Sequence, residues 1–211
     1  MSAIVVSRQL IDPVRPITVA VVFASLLGAG CVTRQSVQLP DIHSWDTRIQ
    51  VLGNHDHWEF SGRIGVSASN DGFNGKLRWV QKSDAFSATV SGPLGIGTVR
   101  IEGDSESVVL TDKDGVRTAL SDAEIELQVR YGWTIPVTSL RYWALGIPDP
   151  TAPAQTEFNT DGQLVKIVQR DWTVTISRYR DGGGQPMPNR LSASNADTRV
   201  RIVIDKWLFF D

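Results

Sequence analysis

From Trp58 onward the chain alternates: Trp58, Phe60, Gly62, Ile64 and Val66 fall on one side, and Glu59, Ser61, Arg63 and Gly65 on the other. A period of two is the period of a strand, with one face toward a core and one toward solvent. The pattern then repeats at short intervals. Asn70-Asp71-Gly72 reads as a turn, and Phe73 to Lys82 follows with Leu77 and Trp79 opposite Lys76 and Arg78. Further alternating runs cover Phe86 to Ser91, Gly97 to Gly103, Ser107 to Thr111 and, after the turn Asp112-Lys113-Asp114-Gly115, Val116 to Leu120. Six strands within about sixty residues predict an antiparallel meander.

Helical signals interrupt this pattern twice. Ser121-Asp122-Ala123-Glu124 has the form of a capping box and opens a helix to about Tyr131 that stops at Gly132. A second helix is predicted from about Val137 to Leu145, between Pro136 and Gly146-Ile147-Pro148. Ahead of the meander, Ile42, Trp45, Ile49 and Leu52 share a helical face over Asp41 to Leu52, with Asp41 as N-cap, so this helix packs on the sheet or covers it.

Beyond the helices, Asp149 to Gln155 reads as an irregular loop. Gln163 to Arg170, Trp172 to Tyr179, Arg190 to Ala193 and Arg199 to Phe209 read as strands. The glycines 182–184, with Pro186 and Pro188, read as a mobile connection. About ten strands in one twisted sheet must curl into a barrel or half-barrel, with the helices over its open side. The inner face is then concave and apolar, the kind of place where small barrels hold a hydrophobic ligand. The inward alternation nominates Trp58, Phe60, Ile64, Leu77, Trp79, Phe86 and Trp143 as its lining; the same residues could equally form a filled core.

The N-terminus reads as an address. Arg8 and Arg15 precede an uncharged run of 14 residues, Ile17 to Gly30, that ends in small side chains. A membrane-spanning helix needs about 20 apolar residues, so this run reads as a signal peptide. It leads directly into Cys31, the only cysteine of the 211 residues, and Gly28-Ala29-Gly30-Cys31 resembles a bacterial lipoprotein processing box. Such boxes usually carry leucine three places before the cysteine; here Leu27 stands one place earlier still. Residues 1–30 are accordingly expected to be a lipoprotein signal, 31–40 a lipidated N-terminus and polar tether, and 41–211 one domain. Acyl chains on Cys31 would anchor the chain to a membrane.

Little points to catalysis. A formal charge of -2 gives no basic footprint for nucleic acid. One cysteine excludes an internal disulfide and any multi-thiolate metal site. His55 and His57 lack a third ligand at useful spacing, and with His43 they complete the histidine set, so no metal and no cofactor is assigned. There is no nucleophile elbow and no phosphate-binding loop, and Glu124 and Glu126 are expected on the solvated side of their helix. No catalytic residue is nominated.

The ordered landmarks resemble the LolB family of outer-membrane lipoprotein receptors. They are Trp58-x-x-x-Gly62-Arg63, Leu77-x-Trp79, Gly92-Pro93-Leu94-Gly95, Gly132-x-x-x-Pro136, Leu140-x-x-Trp143-x-x-Gly146-x-Pro148, Gln169-x-x-Trp172 and the terminal run Arg201 to Trp207. The resemblance implies a mainly β fold: a single antiparallel sheet forming an unclosed half-barrel with a helical lid and a hydrophobic cavity for acyl chains. It also implies a monomer without enzymatic activity, whose partners are the periplasmic carrier LolA, the acyl chains of cargo lipoproteins and outer-membrane lipid. The loop Pro93, Leu94 and Gly95 would protrude and place acyl chains into the bilayer, with Leu94 as its apolar tip and Ile96 assisting. Val32, following Cys31, is not the aspartate that retains lipoproteins in the inner membrane of many such bacteria, which favours the outer membrane. A lipid-anchored envelope scaffold with a solid interior is the alternative reading.

Overall fold

The computed structural model describes residues 35–211 except 69–71, 93–96, 105 and 133, and leaves the side chains of 130 and 131 undescribed. The signal segment, Cys31, the turn residues Asn70 and Asp71, and the loop Pro93 to Ile96 therefore lie outside the described residues.

Eleven strands form one antiparallel sheet. The first six are β1 (His57–Ala68), β2 (Gly72–Lys82), β3 (Ala85–Ser91), β4 (Thr98–Gly103), β5 (Val108–Thr111) and β6 (Arg117–Leu120). The rest are β7 (Ala154–Phe158), β8 (Leu164–Gln169), β9 (Trp172–Gly182), β10 (Gln185–Ser194) and β11 (Thr198–Phe209). Their order is β6-β5-β4-β3-β2-β1-β11-β10-β9-β8-β7, so the first and last strands meet at the centre and β6 and β7 remain as free edges. The sheet is an unclosed half-barrel. Among the described residues three helices accompany it: α1 (Trp45–Asn54), α2 (Ala123–Tyr131) and α3 (Val137–Leu145).

Most elements form where the local chemistry directs them. In β1, Trp58, Phe60, Ile64 and Val66 are buried while Arg63 and Ser67 are exposed, as the alternation predicts. Gly132, at φ +73°, ends α2, and Gly146, at φ +71°, ends α3; both adopt the left-handed conformation that glycine takes without penalty.

Four expectations change. The first helix begins at Trp45, capped by the Ser44 hydroxyl accepting the Thr47 N–H, and not at Asp41; Ile42 instead donates its N–H to Gln185. The cap of α2 is shifted by one residue: Asp122, not Ser121, accepts the Ile125 N–H, and Glu126 reaches back to the Ser121 N–H. On that helix Glu124 and Glu126 are half-buried, while Ile125 and Val129 face solvent, which reverses the predicted faces. The end of the segment read as a loop, Ala154 and Gln155, opens the edge strand β7, which runs on to Phe158; its largely polar, exposed residues carry no alternation to detect.

The largest correction is at the glycine and proline run. Gly183 and Gly184, at φ +63° and +77°, form the two-residue turn of a tight β9–β10 hairpin, so this connection is ordered. Pro186 and Pro188 are tolerated because the β10–β11 ladder begins only at Arg190. Below that point side chains replace the ladder: Trp207 Nε1–H donates to the Pro188 carbonyl at 3.0 Å and Asn189 donates to the Ile204 carbonyl. Part of the segment read as a tether is docked as well. Val37 and Leu39 donate their N–H groups to the carbonyls of Phe209 and Gly183, both at 2.8 Å, and Leu39 is buried.

Candidate functional site

The inner face of the half-barrel divides along the strands. At the end holding His57, Lys82 and Phe209, aromatic side chains form a plug. Trp79 lies within 5.2 Å of Phe86 and 6.2 Å of Phe60, centroid to centroid; Trp207 lies 5.2 Å from Phe60 and 5.7 Å from Phe209. Leu52 of α1 is buried at this end, in a recess shared with Trp58, Tyr142 and Leu145. Such stacked and tilted pairs contribute about 0.5–1.5 kcal/mol each beyond their buried area.

Toward the other end the interior is empty. A cavity of about 430 Å³ is walled by Ile64 of β1, Leu77 and Trp79 of β2, Val90 of β3, Ile101 of β4 and Leu140 of α3. Gly72, Gly92, Gly97 and Lys113, residues beside the turns at one end of the meander, line it as well. Gly92 donates its N–H to the Gly97 carbonyl at 3.1 Å and so pins the base of the loop that carries residues 93–96. The volume falls within the range of about 300–1,000 Å³ usual for small-molecule sites. Asn74 and Lys113 are the polar members of a wall that is otherwise apolar or glycine.

Of the seven residues nominated as lining, Ile64, Leu77 and Trp79 stand on the cavity wall. Trp58, Phe60 and Phe86 are in the aromatic plug, and Trp143, fully buried, packs against Trp172. Alternation identifies the inward face but not the depth along the barrel, so it cannot separate plug from cavity. It also passed over Val90, Val99 and Ile101, inward positions of β3 and β4, and over Ile135, Val137 and Leu140 beside and on α3. The helical spacing of Val137 and Leu140 was the signal available for that pair.

Two buried polar clusters hold the helices over the sheet. The Gln169 carboxamide accepts the Trp143 indole N–H at 2.9 Å and the Asp149 N–H at 3.0 Å, and donates to the carbonyls of Asp149 and Ala152, both at 2.7 Å. Burial opposes ionisation of Asp149, but the Thr151 N–H and hydroxyl, Ser139 and Arg170 outweigh it and hold the carboxyl below its ordinary range.

In the second cluster the Arg48 guanidinium donates to the carbonyls of Leu145 (2.6 Å), Gly146 (3.2 Å) and Pro186 (2.8 Å), tying α1 to the C-terminus of α3 and to β10. A cation at the carbonyl end of a helix is favourably placed. Burial pushes the Arg48 pKa down, with Tyr179 opposing, and burial pushes the Tyr179 hydroxyl up to about 12, with Arg48 opposing. Neither cluster faces the cavity. Among the described residues no group of three or more His, Cys, Asp or Glu is placed to hold a metal, and no helix is long and apolar enough to cross a membrane.

An open antiparallel half-barrel with helices over an apolar hollow has counterparts among solved structures. A LolA superfamily protein from Nitrosomonas europaea aligns at a TM-score of 0.50 over 75% of this chain and 88% of its own, at 9% identity. A DUF1329 family protein from Desulfovibrio piger aligns at 0.52 over 77% and 89%, at 6% identity; at such identities the likeness is one of fold alone. Sequence relatives narrow the class. The model of the family described as outer membrane lipoprotein LolB matches residues 56–207. The outer-membrane lipoprotein LolB of Pseudomonas syringae pv. syringae is 32% identical over 92% of this chain and 95% of its own. That of Pseudomonas aeruginosa is 31% identical over 79% and 82%. This chain belongs to the LolB family, and with it to the outer-membrane lipoproteins of Gram-negative bacteria.

Proposed function

We propose that this chain is the receptor that takes lipoproteins from the periplasmic carrier LolA and inserts them into the outer membrane, with their acyl chains lodged in the cavity during the exchange. The observation that carries this reading is the apolar hollow of about 430 Å³ under α3, whose lining includes Gly92 and Gly97, the residues that flank positions 93–96. Each methylene moved from water to an apolar site gains about 0.8 kcal/mol, so acyl chains cross an aqueous space only from cavity to cavity. A tighter-binding acceptor drives that exchange without nucleotide, and no catalytic group is required. In this reading residues 1–30 are the signal, Cys31 carries the lipid, Leu94 guides chains into the bilayer, and the domain acts as a monomer.

The test mixes the domain, with Cys31→Ala, with LolA carrying a labelled lipoprotein. Transfer of label to the domain without nucleotide is the expected result. Val90→Glu, which sets a charge on a half-buried position of the wall, should reduce transfer at least tenfold with the thermal midpoint retained. Leu94→Glu should accept cargo yet fail to deliver it to liposomes. Cargo remaining on the carrier beside a correctly folded domain overturns the reading and favours the envelope scaffold.

A further inference from the structure

The outer face of the sheet carries a second, unexplained feature. Register places Lys76 of β2 opposite Arg63 of β1, Arg63 opposite Val203 of β11, Val203 opposite Arg190 of β10, and Arg190 opposite Arg178 of β9. Four cations thus stand in one row across five strands, roughly 19 Å at the usual strand spacing. Arg201 and Arg199 extend it along β11, opposite Gly65 and Ser67. All six are exposed. Asp205 pairs with Arg63 at 3.0 Å, whereas Lys76, Arg178, Arg190, Arg199 and Arg201 make no ion pair among the described residues. Between the row and β4 lies a shallow trough of about 630 Å³ bordered by Arg63, Lys76, Arg78 and Arg100.

Like charges directly opposite each other on a sheet destabilise it, yet the row contains two such pairs, Lys76 with Arg63 and Arg190 with Arg178. The whole chain has a formal charge of -2, so these cations are segregated onto one face of an otherwise mildly acidic protein. A concentrated basic face calls for an extended anionic partner. The cavity lies on the opposite, inner face of the sheet, walled by β1 to β4, so a carrier delivering acyl chains would meet the concave side and leave the convex side free. The extended anionic surface beside an outer-membrane lipoprotein is the bilayer.

We infer that the convex face of β9, β10, β11, β1 and β2 is a docking surface for the phosphate headgroups of an anionic phospholipid bilayer. This deepens the receptor reading and rests on it only for the side from which the carrier approaches. Gly65, Ser67, Ser192 and Ser194, set between the cations, let headgroups approach closely.

The test reconstitutes the full chain into vesicles of phosphatidylcholine, with or without about 30% phosphatidylglycerol, carrying a headgroup quencher. A fluorescent amino acid replaces Thr175, exposed on β9, or in a separate protein Gln50, exposed on α1. Quenching at position 175 should rise at least threefold with the anionic lipid and stay unchanged at position 50. The rise should disappear in 0.5 M salt and in the variant Lys76→Ser/Arg178→Ser/Arg190→Ser/Arg201→Ser. Equal quenching at both positions, or quenching indifferent to lipid charge, overturns the inference. The same variant should accept cargo from LolA in vesicle-free solution at the unaltered rate. A loss there assigns the face to the carrier and overturns the inference, whereas absence of transfer by the unaltered chain counts against the receptor reading alone.

Discussion

The two halves of the sheet are built from the same alternating strands and end differently. In β8 to β11 the inward residues Ile167, Val174, Leu191, Ala193, Val200 and Ile202 are almost wholly excluded from solvent, and the helices are fastened over them by Gln169 and Arg48. In β1 to β4 the inward residues Ile64, Leu77, Val90 and Ile101 face a hollow, and Leu140 of α3 covers it without filling it. The hydrophobic effect alone would collapse both halves. The hollow survives because the surrounding pieces are fixed elsewhere: by the aromatic plug at one end, and by polar clusters that specify where α1 and α3 stop. Directional bonds in the packed half set the spacing that the open half needs.

Removing the directional bonds should have the largest effect. Gln169→Leu leaves the Trp143 indole, the Asp149 N–H and two carbonyls without partners in a buried site, and is expected to cost about 3 kcal/mol in denaturant unfolding. It should also reduce binding of an apolar probe in the cavity, although Gln169 does not line it. A destabilised variant with probe binding intact would break the link between the two halves.

Matched truncations sharpen the contrast. Leu191→Ala in the packed half is expected to cost about 3 kcal/mol, and Leu77→Ala on the cavity wall about 1.5 kcal/mol, because one side of Leu77 already faces empty space and has fewer contacts to lose. Equal costs in chemical denaturation would mean that the hollow is filled in solution.

A further effect is in pH dependence. Tyr179 ionises near 10 when unfolded and only at about 12 in the fold, so its contribution is fully present below pH 10 and lost as pH rises through 12. Alkaline unfolding should show a loss of about 2 kcal/mol over that window, and Tyr179→Phe should flatten it, after an initial cost from the lost bond to the Leu164 carbonyl.

The sequence disclosed these halves unequally. Strands with one wet and one dry face, such as β1 and β2, declare themselves by alternation, and α3 is bounded by Pro136 and Gly146 where the capping rules place its ends. β7 was hidden because an edge strand with both faces exposed has no hydrophobic period, and the first half of β10, ahead of Arg190, because its prolines sit where the ladder has parted. Of the cavity, the inward face was legible and the depth was not: Trp58 and Ile64 obey the same rule six residues apart, yet one belongs to the plug and the other to the wall. Gln169 and Arg48 gave no sign of their roles, since a buried amide and a buried guanidinium are defined by partners more than a dozen residues away.

The unpaired ends of the sheet have a mechanical consequence. Among the described residues no strand pairing joins β6 to β7, so bending the sheet across its width breaks no rung of the ladder. The sheet is therefore stiff along its strands and compliant across them, whereas a closed cylinder of the same strands would hold one bore.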